Sequence, residues 1–164
     1  MKYFIDTEFL EDGRTIELIS IGIVAEDGRE FYAEANLSDD LLQRVLEHEW
    51  LMENVWPHLS GQTMPVPVIA HDVQKFVTGN DPQFWAYCGA YDWVVLNQLF
   101  GPMVNHPTKW PFYCNDITQY GLHMGVNHRH FPEQTTTEHN ALSDARWTRD
   151  VYLWLEEKDF KLTD

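Results

Sequence analysis

Basic residues are scarce in this 164-residue chain: eleven lysines and arginines stand against 26 aspartates and glutamates, for a formal charge of −15. That balance excludes broad electrostatic capture of a nucleic-acid backbone, which depends on Lys and Arg displacing counterions. If the protein handles nucleic acid, bound cations and a few local contacts must hold the phosphates. Cysteine is almost missing, with only Cys88 and Cys114, and the chain opens without a basic, then apolar, then small-residue leader. No disulfide is expected, and the expected compartment is the reducing cytoplasm. Long apolar runs are missing as well. Ile16 to Ala25 is interrupted by Glu17 and falls well short of the roughly 18 residues that span a bilayer, so no membrane partner is expected. No repeat, low-complexity tract or interdomain linker appears, and 44% hydrophobic with 23% charged residues is a core-forming composition. The expectation is one domain over residues 1–164, long enough to bury a real core.

What is present reads as a mixed α/β layout. Lys2 to Ile5, entering Asp6, and Thr15 to Val24 have the β-branched and aromatic composition of strands. Glu11-Asp12-Gly13-Arg14 and Glu26-Asp27-Gly28-Arg29 carry turn chemistry, and the alternating Phe31, Ala33 and Ala35 complete a three-stranded antiparallel start. Ser38 then caps a helix whose apolar face is Leu41, Leu42, Val45 and Leu46. Val68 to Val77 reads as a second helix, Phe84 to Cys88 as a buried strand, and Tyr91 to Phe100 as a helix closed by Gly101-Pro102. Trp110 to Cys114 reads as a short strand, Asn127 to Thr137 as a polar loop, and His139 to Glu157 as a long, largely buried helix. Strands first, then alternating helix and strand, predict a mixed central sheet flanked by helices.

The chemistry gathers in three places. Asp6 and Glu8 are one residue apart at the expected end of the first strand, and period-2 geometry aims both carboxylates to one face. Such hard oxygen ligands suit Mg²⁺ or Mn²⁺, although the pair taken alone reads first as a solvated acidic strand end. Asp92 follows a buried strand at the start of a helix, where the macrodipole alone would favour an acid. His139 and Asp144 stand five residues apart at the start of the last helix. The small residues Ala141 and Ala145 let that helix approach the sheet closely, bringing Asp144 towards Asp6. Taken singly, His139 is a surface histidine and Asp144 a capping or salt-bridging acid.

Other histidines and thiols carry less. His71 beside Asp72 and His123 beside Met124 lack zinc-ligand spacing. Cys88, beside Gly89, reads as a small buried residue ending a strand, without an activating base for a nucleophile. His128, Arg129 and His130 are either phosphate contacts or a solvated cluster, and they stay outside the expected site.

In order along nearly the whole chain, Asp6-Thr7-Glu8-Phe9, then Tyr91-Asp92-Trp93, then His139-Asn140-Ala141-Leu142-Ser143-Asp144-Ala145 resemble the motifs of the DEDDh group of 3′-5′ exonucleases. The short length, the Asp-Thr-Glu-Phe opening and the tryptophan-rich middle narrow the resemblance to small single-domain exoribonucleases of actinobacteria and their phages. One departure is Gly89-Ala90-Tyr91 ahead of Asp92, where an Asn often stands; this bears on substrate contacts more than on metal binding. The resemblance implies a ribonuclease H-like fold and a mechanism using two divalent ions, Mg²⁺ or Mn²⁺. It implies that Asp6 bridges both ions, that Glu8 and Asp144 hold the ion activating water, and that Asp92 helps hold the second. His139 would be the general base, a role suited to the side chain that titrates nearest neutral pH. Activity should fall in acid. The implied partners are RNA 3′ ends, single-stranded or overhanging, with nucleoside 5′-monophosphate as product, and a homodimer. Phe9, next to Glu8, is the expected base-stacking residue, while Trp85 is expected in the core and Trp93 on either side of that line. A DNA-directed exonuclease of the same group and a catalytically silent interaction module are the competing readings.

Overall fold

A computed structural model describes residues 1–162, so the last two residues of the expected domain lie outside it. Among the described residues, six strands form one sheet in the order β4-β3-β2-β1-β5-β6. The antiparallel start is present: β1 (Lys2–Glu11), β2 (Ile16–Ala25) and β3 (Glu30–Ala35) pair as a meander through the two Asp-Gly turns. Gly13 and Gly28 take φ of +80° and +90° at those turns, a conformation that costs glycine nothing. The remaining strands, β4 (Thr63–Met64), β5 (Gln83–Ala86) and β6 (Asn115–Asp116), join in parallel, as crossover through helices requires.

The helices are α1 (Asp39–Glu47), α2 (Glu49–Asn54), α3 (Val66–Phe76), α4 (Ala90–Gln98), α5 (Ile117–His123) and α6 (Ala141–Leu162). Strand parity divides the core between two faces. Tyr3 and Ile5 pack with Ile69, Val73 and Leu96 of α3 and α4, whereas Phe4 packs with Ala145, Val151 and Leu155 of α6 and Ile117 of α5. A third cluster, Leu10 and Ile19 against Leu41, Val45 and Leu51, seats α1 and α2 at the far end of the β1–β2 hairpin. No described helix is long and apolar enough to cross a membrane.

Several boundaries differ from the expectation. The strand expected at Trp110 to Cys114 is irregular chain, and the pairing falls instead on Asn115 and Asp116. Trp110 is there as a core side chain between Phe84 and Phe100, so its apolar run reflects burial rather than pairing. Leu46 is exposed, while Leu41 and Val45 alone make the buried stripe of α1. Ser38 does cap α1, its Oγ accepting from the Leu41 N–H at 3.2 Å. The last helix starts at Ala141, with Asn140 as its cap: the Asn140 side-chain oxygen accepts from the Ser143 N–H at 3.1 Å.

Candidate active site

Asp6 and Glu8 lie inside β1 rather than at its end, because pairing with β2 carries the strand on to Glu11. What ends near them is the other neighbour. The parallel β1–β5 ladder stops at Phe4 and Trp85, so the edge of β1 from Ile5 onward is open towards α4. Asp6 and Glu8 share the α6 face with Phe4, as their spacing predicts, and Glu8 is 8% exposed. A register shift between Glu8 and Phe9 bends the strand here, the kind of irregularity that re-aims side chains.

Thr7, on the opposite face, fixes the third carboxylate. Its N–H, left without a strand partner, and its Oγ–H both donate to Asp92 Oδ1, at 2.8 and 2.7 Å. Asp92 stands in the first turn of α4 and is 6% exposed, so the helix dipole and Thr7 together hold a carboxylate that water does not reach freely. Phe9 also points to this side, where its ring stacks on exposed Tyr91 with centroids 5.7 Å apart and planes 9° from parallel.

From the other face comes α6. Ala141 and Ala145 are fully buried, and the helix start lies directly on Gly22, the β2 residue paired with Asp6. This close approach brings Asp144 to the β1 carboxylates. Asp144 accepts from Gln134 Nε2 through Oδ1, at 2.5 Å, and from the His139 N–H through Oδ2, at 2.9 Å. His139 has φ of +60°, uncommon for a residue with a Cβ and a form of local strain that concentrates at functional sites. Its ring meets the edge of the exposed Trp50 indole from α2, centroids 4.9 Å apart.

All five sequence-predicted residues, with Phe9, line one cleft of about 690 Å³, within the usual range of about 300–1,000 Å³ for small-ligand sites. Its electrostatics are those of crowded acids. Desolvation first, then the Asp92, Asp144 and Glu8 charges, pushes the Asp6 carboxyl well above the usual carboxylate range. Glu8 rises to about 8, by burial and then by Asp144 and Asp92. Asp92 rises to about 6 through burial, against the lowering effect of the two Thr7 hydrogen bonds. Burial also raises Asp144, partly offset by Gln134 and the His139 N–H. Among the described residues Glu8, His139 and Asp144 each bring one ligand atom within 4.8 Å of the others. Four carboxylates that cannot all be charged side by side, with one imidazole and no thiolate in the group, are a donor set suited to hard divalent cations.

A family model described as the Rv2179c-like 3′-5′ exoribonuclease domain matches residues 1–154 of this chain. The chain belongs to that family. It is 40% identical over 153 residues to the 3′-5′ exoribonuclease Rv2179c of Mycobacterium tuberculosis strain H37Rv, covering 89% of this chain and 88% of the relative. The corresponding protein of the CDC 1551 strain gives the same figures. Among solved structures, E. coli exonuclease I in complex with a dT13 oligonucleotide superposes with a TM-score of 0.69 at 12% identity, covering 99% of this chain. The zinc-bound form of the exonuclease I–ssDNA complex gives a TM-score of 0.70. The chain spans only 42% of exonuclease I, and at this identity the likeness is one of fold: a ribonuclease H-like nuclease fold, as the sequence motifs imply.

In this Rv2179c-like chain, four contributors to the cleft were not legible from motif spacing. Thr7 lay hidden between the two acids, Gly22 inside an isoleucine-rich strand, Gln134 in the polar loop, and Trp50 in a short helix. The Asp6–Gly22 register, once drawn as a hairpin, is the signal that points to Gly22. His128, left outside the site, lines the cleft, as does Cys88. Cys88 is exposed and adopts φ of +54° in the β5–α4 turn, so it is not the buried strand residue expected. Strand β5 ends two residues earlier, at Ala86. Trp85 is core, and Trp93 packs half-buried against Phe84.

Proposed function

We propose that this protein is a 3′-5′ exoribonuclease that hydrolyses the terminal phosphodiester bond of RNA and releases nucleoside 5′-monophosphate. The observation that carries the proposal is the meeting of four carboxylates and one histidine, drawn from three separate stretches of sequence, in a single cleft of an Rv2179c-like domain. In this reading Asp6, Glu8 and Asp144 would hold one Mg²⁺ or Mn²⁺ ion, and Asp6 and Asp92 would help hold a second. Such ions supply charge stabilisation to the phosphoryl oxygens and lower the pKa of bound water.

The chain's own residues do the rest. His139, on a loop clamped by its N–H to Asp144, takes the proton of the attacking water at a ring nitrogen. Thr7 keeps Asp92 charged and oriented through two hydrogen bonds. Phe9, backed by Tyr91, offers a flat apolar face to the terminal base, which suits an enzyme that takes many 3′ ends without reading sequence. A homodimer is proposed on family resemblance, and the cytoplasm on the two free thiols.

RNA is favoured over DNA because the 40% identical relative is named an exoribonuclease. The test is matched 5′-labelled RNA and DNA oligonucleotides with Mg²⁺, Mn²⁺ or chelator. Stepwise shortening of RNA from the 3′ end, abolished by chelator and slower on DNA, is expected. Equal or faster shortening of DNA would replace the RNA assignment, and no shortening under either metal would remove the enzymatic reading.

A further inference from the structure

A second hollow of about 450 Å³ lies beside the cleft. The β1–β2 turn, with Arg14 and Ile16, forms one wall, and Tyr91 and Val94 of α4 form the other. Tyr91 borders both spaces, so the Phe9–Tyr91 stack is the step between them.

Arg14 stands out in a chain of net charge −15. Of its six arginines, Arg29, Arg44, Arg146 and Arg149 have carboxylate partners, whereas Arg14 and Arg129 have none among the described residues. The acids around Arg14 are engaged elsewhere. Glu11, also in the hollow, accepts from the Gly13 N–H at 2.9 Å. Asp12 accepts from the Arg14 and Thr15 N–H groups and pairs with Arg44, which also takes Glu17. The exposed Arg14 guanidinium is thus left at the rim without a partner among the described residues.

Reaction geometry says what this rim faces. In an in-line displacement the leaving oxygen is on the side of the phosphorus opposite the attacking water. If His139, on the α6 side, takes the proton from that water, the leaving 3′-oxygen and the chain attached to it would exit on the α4 side. Arg129 follows His128 on the loop leading to His139, the side where the water enters. Arg14, which shares its hollow with Tyr91 and Val94 of α4, would be on the exit side.

We infer that the hollow between the β1–β2 turn and α4 is a subsite for the RNA stretch on the 5′ side of the scissile bond, with Arg14 on a phosphate and Tyr91 and Val94 under bases. The inference rests on the exoribonuclease reading. A guanidinium matches a phosphate's oxygens in a bidentate fork, and exposed aromatic and apolar side chains accept any base. The subsite therefore distinguishes substrate length and not sequence.

The test compares a dinucleotide with an octanucleotide of RNA as substrates for the wild-type protein, Arg14→Gln and Arg14→Lys at fixed Mg²⁺. Arg14 is exposed on a turn, so both variants should fold. For Arg14→Gln the expected result is an octanucleotide KM raised about three- to tenfold with kcat and the dinucleotide KM unchanged. The salt dependence of octanucleotide binding should fall by about one in slope, and Arg14→Lys should restore that slope while recovering only part of the KM, since an ammonium keeps the charge without the fork. If Arg14→Gln leaves the ratio of the two KM values at the wild-type level, the subsite is refuted while the exoribonuclease reading stands. If the wild-type protein hydrolyses neither length, both fall together.

Discussion

Gly22 and Ala141 meet backbone to backbone: a Cβ added to Gly22 would stand 2.3 Å from the Ala141 carbonyl oxygen and 2.4 Å from the Leu142 nitrogen. Because Gly22 pairs with Asp6, this contact sets the distance between the strand acids and Asp144. Gly22→Ala should push α6 off the sheet. Overpacking costs about 1–3 kcal/mol, so thermal unfolding should show a lower Tm, by several degrees. Hydrolysis should drop more steeply than stability, since the folded fraction would carry a displaced Asp144. An unchanged Tm would mean that the helix start is not seated as described.

Thr7→Val keeps the shape of the side chain and removes the Oγ–H donor to Asp92, leaving the N–H at 2.8 Å. Loss of a hydrogen bond that orients a metal-binding carboxylate typically costs about 10–100-fold in metal affinity or activity. With one of two donors retained, the low end is expected: about tenfold more Mg²⁺ for half-maximal hydrolysis. A titration of rate against Mg²⁺ reads this directly.

The raised carboxyls fix the sign of a pH effect. In the unfolded chain these groups ionise near pH 4, whereas Glu8 rises to about 8 and Asp92 to about 6 in the folded, metal-free protein. The folded state therefore holds more protons between these values, and the stability it gains is present in acid and lost as pH rises through about 6 and then 8. The cluster's contribution should make metal-free protein melt at a lower temperature at pH 8.5 than at pH 5.5, and added Mg²⁺ should raise Tm more at pH 8.5. The difference between the two melts cancels groups that metal does not touch, such as His106, which burial lowers. A larger Mg²⁺ gain at the acid end would contradict the account.

His139→Ala removes the group assigned to the water proton while leaving four carboxylates in place. A general base contributes about 10²–10⁴-fold, so kcat should fall within that range while the Mg²⁺ concentration for half-maximal rate moves far less. A matching loss of metal affinity would make His139 chiefly a ligand, which its place within 4.8 Å of Glu8 and Asp144 also permits.

Much of this was legible in the sequence because local rules act where the acids sit. Alternation put Asp6 and Glu8 on one face, the Asp-Gly turns built the meander, and Ala141 and Ala145 marked the face of α6 that meets the sheet. Asp92 came from ordered motifs rather than from any local rule. What stayed hidden depends on neighbours distant in sequence. The need for glycine at position 22 arises 119 residues away, at Ala141. The open edge of β1 exists because β5 ends early, which makes the Thr7 N–H a ligand for Asp92. Trp110 to Cys114 looked like a strand because aromatic burial and strand pairing leave the same composition; only the ladder to β5 shows that pairing waits until Asn115.

The central claim, that crowded acids are held together to bind cations for phosphodiester hydrolysis, is tested most directly by Asp6→Asn. The substitution keeps size and removes a carboxylate that burial and three neighbouring acids push well above its usual range. Thermal unfolding and release of nucleoside monophosphate from RNA would be measured on the same preparation at pH 8.5. The account predicts a metal-free protein that melts higher than wild type, gains less from Mg²⁺, and has lost most of its hydrolytic rate. An Asp6→Asn protein that hydrolyses RNA at the wild-type rate would contradict it.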